Sequence, residues 1–336
     1  MNLRRGYHIL PLAVTLAIVT GAFVILRDNY LLGSLVLAGI YAIAIMGLVI
    51  LVGLNGQFSL GHAAFFGMGA YSGALLAKAG YPAFVTLPVG GLFAAIVAMI
   101  VGYPLLRLRG YYLAVATLAL GLITLSILNG WRVVTLGPSG ISEIPPLSIG
   151  SFQIVGEQAN YWAVWLLVTA LLWMALNLRD SRIGQATLAI KRDETAAAAM
   201  GINVHLVKVK IFGLSAAFAG LAGAFYAQYV TFISPERFGT VTSFELLLAA
   251  LLGGTGTPFG AIIGALLLIA LPEAVAFLRD YKTIVYGLVF IVLSLYMPHG
   301  IAGLGNSLIQ AWRERGASST TRAQQSEQVS EHSRAP

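Results

Sequence analysis

Long apolar runs separated by short polar segments dominate the chain between residues 9 and 297. A helix needs about 20 apolar residues to cross the roughly 30 Å hydrocarbon core of a bilayer, and eight of the runs approach that length. We therefore predict an all-α polytopic membrane protein with about eight full transmembrane helices. The predicted spans cover residues 9–26, 31–52, 62–77, 84–106, 111–129, 161–178, 211–230 and 281–297.

A ninth apolar stretch, residues 244–271, is interrupted by the sequence GGTGTPFG at 253–260. Glycine and proline interrupt helices, so we expect two half-length helices that enter and leave the membrane from the same side. This hairpin leaves both termini on the side of the charged segment 179–210. With that side in the cytoplasm, 14 of the 20 Lys and Arg residues lie inside, in agreement with the positive-inside rule.

Charge gathers in the segment 179–210, which carries six Lys and Arg residues. We predict two short helices within it. Asp193 is placed to cap the second helix, Gly201 to end it in a left-handed conformation, and Asn203 to cap the next span. A charged helical hairpin between two membrane spans suits a subunit on which a separate soluble motor acts. The two helices are expected at residues 182–190 and 194–200.

Composition supports the membrane class, because 58% of the residues are hydrophobic, 10% are charged and the mean hydropathy is +0.84. In soluble domains roughly a quarter of the residues are charged. The chain has no cysteine, which excludes disulfides and thiolate sites. The net charge of +7 comes from basic residues scattered over loops and tails, so we expect no nucleic-acid binding.

The motifs of common enzyme classes are absent from the sequence. It contains no G-x-x-x-x-G-K-[ST] phosphate loop, no HExxH and no GxSxG, so we expect no catalytic residue, no bound cofactor and no ATPase site. The histidines outside the spans show no metal-ligand spacing, and no metal site is expected. Residues 317–336 are polar and lack aromatic side chains, so we predict a disordered cytoplasmic tail.

Two interrupted segments bring polar groups to the depth of the membrane. The first is 53–73, where glycines interrupt the helix, and the second is the break at 253–260. Irregular backbone at that depth persists only inside protein or beside a water-filled cavity, and paired interrupted segments mark the path of transporters. The candidate path residues are Asn55, Gln57, Ser59, His62, Glu245, Gly253 and Gly254.

Structural alternatives stay open for these residues. Gly61, Gly69 and Gly73 suit close helix packing, and His62 suits an interhelical hydrogen bond. An ionisable residue in an apolar run is often functional, but Glu245 near the outer end of its helix also suits contact with water.

Six motifs occur in order along the chain. They are GLNGQFSLGHAAFFGMGAY, LRLRGYYLAVATLALG, SRIGQATLAIKRDETAAAAMGIN, SAAFAGLAGAFYAQYVTFISPE, ELLLAALLGGTGTPFGAIIGALLL and PHGIAGL. Together they resemble the signatures of branched-chain amino-acid ABC transporter permeases, most closely the LivM-type subunit, over about residues 35–305. The resemblance implies a permease domain at 1–316 in the bacterial inner membrane. It also implies a LivH-like second permease, two cytoplasmic ATPase subunits that use ATP, and a periplasmic solute-binding protein.

The resemblance further implies that 179–210 is the coupling loop that fits into an ATPase cleft, like the EAA loop of ABC importers. The loop departs from the EAA pattern, because Thr195 follows Glu194 and Gly201 comes seven residues after it. Position and charge therefore carry the assignment. The candidate coupling residues are Arg192, Asp193, Glu194, Ala197 and Gly201.

Leucine, isoleucine and valine are the substrates that the resemblance favours. Permeases for urea, short amides and other amino acids are similar, and in such importers the binding protein largely selects the solute, so these substrates stay alternatives. A stand-alone secondary transporter or channel, with Glu245 as an ion site, is a second class of explanation. It predicts more charge within the membrane and no docking loop.

Overall fold

The computed structural model describes residues 19–21, 23, 28–108, 110–149 and 152–274. The predicted span 281–297 and the predicted tail lie outside these residues, as does most of the predicted span 9–26. The helices are α1 (Asn29–Asn55), α2 (His62–Lys78), α3 (Ala83–Leu105), α4 (Tyr111–Gly130), α5 (Arg132–Thr135), α6 (Glu157–Asp180), α7 (Arg182–Arg192), α8 (Glu194–Ala199), α9 (Val204–Val230), α10 (Thr240–Gly253) and α11 (Phe259–Ala274). The short strands β1 (Ser148–Ile149) and β2 (Phe152–Gln153) pair antiparallel.

Among the described residues, five helices are long and apolar enough to cross a membrane, namely α1, α3, α4, α6 and α9. They coincide with five predicted spans, so the prediction of a helical polytopic membrane protein is confirmed. The predicted span 62–77 also forms a helix, α2, but it has 17 residues and is largely buried inside the protein. The total of eight full spans stays a prediction.

Two helices extend beyond the apolar runs that predict them. α9 begins at Val204, inside the charged segment, because Asn203 Oδ1 accepts a hydrogen bond from the backbone N–H of Leu206 at 3.1 Å. α1 continues through Gly53 to Asn55. Gly53 therefore lies within a helix, contrary to the prediction that it interrupts one, and the interruption begins at the next glycine.

The centre of the bundle is α9, which packs against α1, α2 and α3. Small residues allow the close approach: a Cβ on Gly69 would lie 2.0 Å from the carbonyl oxygen of Gly220, and one on Gly73 would lie 2.7 Å from the Cβ of Ala224. These contacts support the packing interpretation of both glycines. α1 packs against α6, α9 and α11. Most of its apolar length is buried inside the protein.

The interrupted hairpin consists of α10 and α11, which residues 254–258 separate. The two helices run antiparallel, because a Cβ on Gly264 would lie 2.0 Å from the carbonyl oxygen of Ala249. The predicted break within 253–260 is confirmed, with Gly253 as the last residue of α10. The side of the membrane on which the hairpin enters stays a prediction.

The segment between α4 and α6 folds against the chain that follows α9. The backbone N–H groups of Ile141 and Ile233 donate to each other's carbonyl oxygens at 2.9 and 3.0 Å. Lys78 Nζ donates to the carbonyl oxygen of Ser142 at 3.0 Å. α9 starts in the charged segment and ends near Ile233, so these contacts lie at the end of the bundle opposite to that segment.

Candidate functional site

Residues 56–61, here called the interrupted segment, join the end of α1 to the start of α2. The backbone N–H of Leu60 donates to Thr117 Oγ1 of α4 at 3.0 Å. The N–H of Ala63, in the first turn of α2, donates to Ser243 Oγ of α10 at 3.1 Å. Side chains of two other helices thus satisfy N–H groups around the start of α2 and hold it inside the protein.

The four polar residues predicted around this segment are buried. Asn55 Nδ2 donates to Gln57 Oε1 at 2.9 Å. Within the described residues, Asn55 Oδ1, Ser59 Oγ and His62 Nδ1 have no hydrogen-bond partner. Buried polar groups are normally paired, so it is notable that three unpaired atoms of the described residues lie within or next to the interrupted segment.

His62 also contacts a neighbouring helix. Its Nε2 atom lies 3.5 Å from Ser215 Oγ of α9, and that hydroxyl donates to the carbonyl oxygen of Gly47 at 2.7 Å. This contact supports the alternative in which His62 packs between helices, while its other ring nitrogen belongs to the unpartnered cluster. Within the ranges that the structure describes, no group of three or more His, Cys, Asp and Glu residues could hold a metal ion.

Glu245 lies away from the interrupted segment. Its half-buried carboxylate interacts electrostatically with Tyr41 of α1. Tyr41 precedes Asn55 by 14 residues on that helix, which is about 20 Å along its axis. Glu245 therefore faces the middle of α1, and Ser243, two residues earlier on α10, is the residue that reaches α2.

The local structure of the charged loop agrees with its predicted caps. Asp193 Oδ1 accepts hydrogen bonds from the backbone N–H groups of Thr195 at 2.8 Å and Ala196 at 3.1 Å. Gly201 has a φ of +84° and ends the short helical segment in the left-handed region. The predicted capping roles of Asp193, Gly201 and Asn203 are confirmed.

The candidate coupling residues face different environments. Ala197 is 2% exposed and points into the protein. Arg192 is exposed, and Met200, which the sequence did not single out, is 82% exposed. Arg192 at the end of α7 and Met200 just after α8 are therefore directed at solvent, while Ala197 packs α8 against the bundle.

Glu194 forms an ion pair with Lys208 of α9. The lysine side chain is 8% exposed and the glutamate side chain 35%. A half-buried pair of this kind joins the short helix α8 to a membrane span of the same chain. In this structure Glu194 therefore contacts another helix of its own chain.

Two further basic side chains attach the loop to the interruptions. Lys191 Nζ donates to the carbonyl oxygen of Gly53 at 2.7 Å, and Arg179 Nη1 donates to that of Gly256 at 3.0 Å. The two attachment points are neighbours, because a Cβ on Gly53 would lie 2.1 Å from the carbonyl oxygen of Thr255, the residue before Gly256. The structure thus brings the end of α1, the turn after α10 and the charged loop together.

Five helices long enough to cross a membrane, with interrupted segments and a charged loop attached to them, are features of a multi-pass membrane protein. The family described as "Branched-chain amino acid transport system / permease component" matches residues 30–294. The chain belongs to this family, and the resemblance inferred from the six motifs is confirmed.

The curated relatives are permease proteins of the same kind of system. The high-affinity branched-chain amino acid transport system permease protein LivM of Escherichia coli K12 is 34% identical over 286 residues, which cover 78% of this chain and 67% of the relative. LivH of the same organism is 28% identical over 287 residues, 80% of this chain and 92% of the relative. BraD of Pseudomonas aeruginosa is 30% identical over 295 residues, which cover 81% of this chain and 94% of the relative. No solved structure matches the chain.

The family membership fixes the class of transporter. The chain is a permease subunit of an ABC importer, in which ATP hydrolysis belongs to a separate subunit. LivM and LivH are both permease proteins of the same named system in one organism, so the implied partner of this LivM-like chain is a LivH-like permease.

Proposed function

We propose that this chain carries leucine, isoleucine and valine across the bacterial inner membrane as one of two permease subunits of an ATP-driven importer. The supporting observation is that LivM, LivH and BraD are all named as branched-chain amino acid permease proteins. The complete importer would contain a LivH-like permease, two cytoplasmic ATPase subunits and a periplasmic solute-binding protein. ATP is used by the ATPase subunits.

A second candidate is the same importer with another small solute. LsrC of Yersinia pseudotuberculosis is 26% identical over 200 residues, 56% of this chain, and is named an autoinducer 2 import system permease protein. Relatives of this chain are therefore named for chemically different solutes. Urea, short amides and other amino acids belong to this second candidate.

The contacts of the loop support a route for coupling. The exposed end of α8 offers a surface for an ATPase subunit, and the Glu194–Lys208 pair passes a displacement of α8 to α9. The hydrogen bonds of Lys191 and Arg179 pass it to the end of α1 and to the turn after α10. The end of α1 and the turn after α10 border the two interruptions, so movement of the loop alters the proposed path where the backbone is irregular.

The path itself is proposed to follow the unpartnered polar groups. Asn55 Oδ1, Ser59 Oγ and His62 Nδ1 are these groups, and Gln57 lies among them, bonded to Asn55. The turn that begins at Gly254 meets α1 at Gly53. A solute with its own donors and acceptors replaces the missing partners of these groups as it passes. The proposal places Glu245 at a second level of the path, opposite Tyr41 in the middle of α1.

The proposal is tested by reconstitution in liposomes. We expect ATP-dependent uptake of radiolabelled leucine only when both permeases, the ATPases and the liganded binding protein are present. Isoleucine and valine should compete, whereas urea and autoinducer 2 should not. A non-hydrolysable ATP analogue serves as the control. Uptake of another solute in place of leucine would support the second candidate, and gradient-driven uptake by this chain alone would contradict the need for a motor.

A further inference from the structure

A cleft of about 510 Å³ lies where the interrupted segment meets the charged loop. Its volume is within the range of small-molecule sites. Among the described residues of its lining, the charged side chains are one carboxylate and one ammonium. The polar wall contains Asn55, Gln57, Glu194 and Lys208, and the apolar wall includes Leu113 and Leu247.

The polar wall contains a hydrogen-bond acceptor that has no partner among the described residues, and an ammonium group with several N–H donors. Asn55 is 5% exposed, and its Oδ1 atom has no hydrogen-bond partner in the described part of the chain. The ammonium of Lys208 has three N–H donors, and one of them is directed at Glu194. A ligand that suits this wall carries an ammonium for Asn55 and Glu194 and a carboxylate for Lys208.

We propose that the cleft binds a zwitterionic amino acid with an apolar side chain, which enters from the side of the charged loop. The apolar part of the ligand lies against Leu113 and Leu247. A phosphate or nucleotide matches poorly, because Lys208 is already paired with Glu194, whose carboxylate repels an anion. The inference rests on the proposed function, since the amino acid on the cytoplasmic side is the product of import.

Occupation of the cleft has a consequence for turnover. Such a ligand bridges α8, through Glu194, and the end of α1, through Asn55. A ligand that contacts two elements in one arrangement stabilises that arrangement relative to others. We therefore expect the imported amino acid to hold the loop and α1 as they are in this structure, so that the product slows its own import.

Binding is measured on the complete complex of both permeases and both ATPases in lipid nanodiscs. The binding protein is left out, because its own solute site would also bind leucine. Radiolabelled L-leucine should bind saturably in equilibrium dialysis. The competitors 4-methylpentanoate and 3-methylbutylamine keep the apolar chain but lack the ammonium or the carboxylate. Each should compete at least about tenfold less well than unlabelled leucine. Equal competition by either compound would overturn the proposal.

Two variants of α4 locate the site. Ala114 lines the cleft, and Ala114→Phe should weaken leucine binding by about tenfold or more. Val115 is the next residue, is 42% exposed and does not belong to the lining, so Val115→Phe is a matched control that should bind leucine normally. Unchanged binding in an assembled Ala114→Phe complex would overturn the proposal. If that variant does not assemble, Leu108→Asp at the half-exposed rim gives the same test.

The effect on turnover is measured in proteoliposomes. Leucine on the ATPase side should slow initial uptake by the wild type more than by Ala114→Phe, and equal slowing would overturn product inhibition through the cleft. ATP-driven leucine import without leucine binding to the nanodisc complex would overturn the cleft proposal and leave the proposed function standing. Leucine binding in a complex that imports a different solute would instead contradict the proposed substrate.

Discussion

The hydrogen bond from Lys191 to Gly53 gives a direct test of coupling. The acceptor carbonyl lies in the last turn of α1, where backbone carbonyls lack helical partners. A positive charge at that end is also favourable to the helix dipole. Lys191→Met keeps much of the length of the side chain but removes both the donor and the charge.

The magnitude follows from the exposure of the lysine. A hydrogen bond that involves a charged group contributes about 1.5–3 kcal/mol when it is shielded. Lys191 is exposed, so the value for charge near a helix end, about 0.3–1 kcal/mol, is the better guide. A loss of about 1 kcal/mol changes an equilibrium between two arrangements of the loop and α1 by about fivefold.

The assay compares ATP hydrolysis by the reconstituted complex with and without liganded binding protein. We expect Lys191→Met to reduce the stimulation by about two- to fivefold, as a loss of about 0.3–1 kcal/mol implies, while the complex still assembles and binds ATP. The number of leucine molecules transported per ATP hydrolysed should fall together with the stimulation. The reason is that movement of the loop no longer reaches the end of α1.

Lys210→Met is the matched control, since Lys210 is an exposed lysine of α9 within the same charged segment, 179–210. Lys191→Arg keeps the donor and the charge and should retain most of the stimulation. Wild-type stimulation in Lys191→Met would refute the reasoning. So would an equal loss in Lys210→Met, because net charge and not the contact would then explain the effect.

Three other predictions address the same region. Gly53→Ala places a Cβ 2.1 Å from the carbonyl oxygen of Thr255 and should abolish transport, measured as leucine uptake, whereas Gly256→Ala meets open space and should be tolerated. Gly201→Val should reduce the stimulation of ATP hydrolysis about fivefold or more, because a β-branched residue disfavours the φ of +84°. Normal stimulation would show that the left-handed turn after α8 is not needed for coupling. A Gln57→Cys variant, in a chain without native cysteine, should react with a membrane-impermeant thiol reagent at a rate that changes on ATP binding, and protection in every state would favour packing over a path.

The features that the sequence predicted depend on neighbours along the chain. Apolar length identifies α3 and α6, and side-chain caps at Asp193 and Asn203 set the starts of α8 and α9, because a cap bonds to residues two or three positions later. The break after Gly253 follows from glycine and proline in the same way. Each signal is local, so one sequence is enough to detect it.

The features that the sequence did not predict join distant residues. Nothing in the spacing of Lys191 and Gly53 marks them as partners, since they are 138 positions apart. Glu194 was assigned to coupling by its place in the loop, but its pairing with Lys208 depends on where α9 begins. The burial of Ala197 likewise depends on how α8 lies on the bundle. Tertiary packing decides these contacts, and local patterns do not encode it.

The position of the two interruptions has a physical explanation. Within a helix, each carbonyl accepts a hydrogen bond from the N–H four residues later, so a basic side chain finds free carbonyls only at helix ends and breaks. Lys191 and Arg179 bind such carbonyls, at the end of α1 and in the turn after α10. An interruption therefore serves two purposes at one place, because it leaves polar backbone beside the proposed path and gives the loop an attachment point. A continuous helix through either interruption would keep the span but remove the carbonyl that the loop holds.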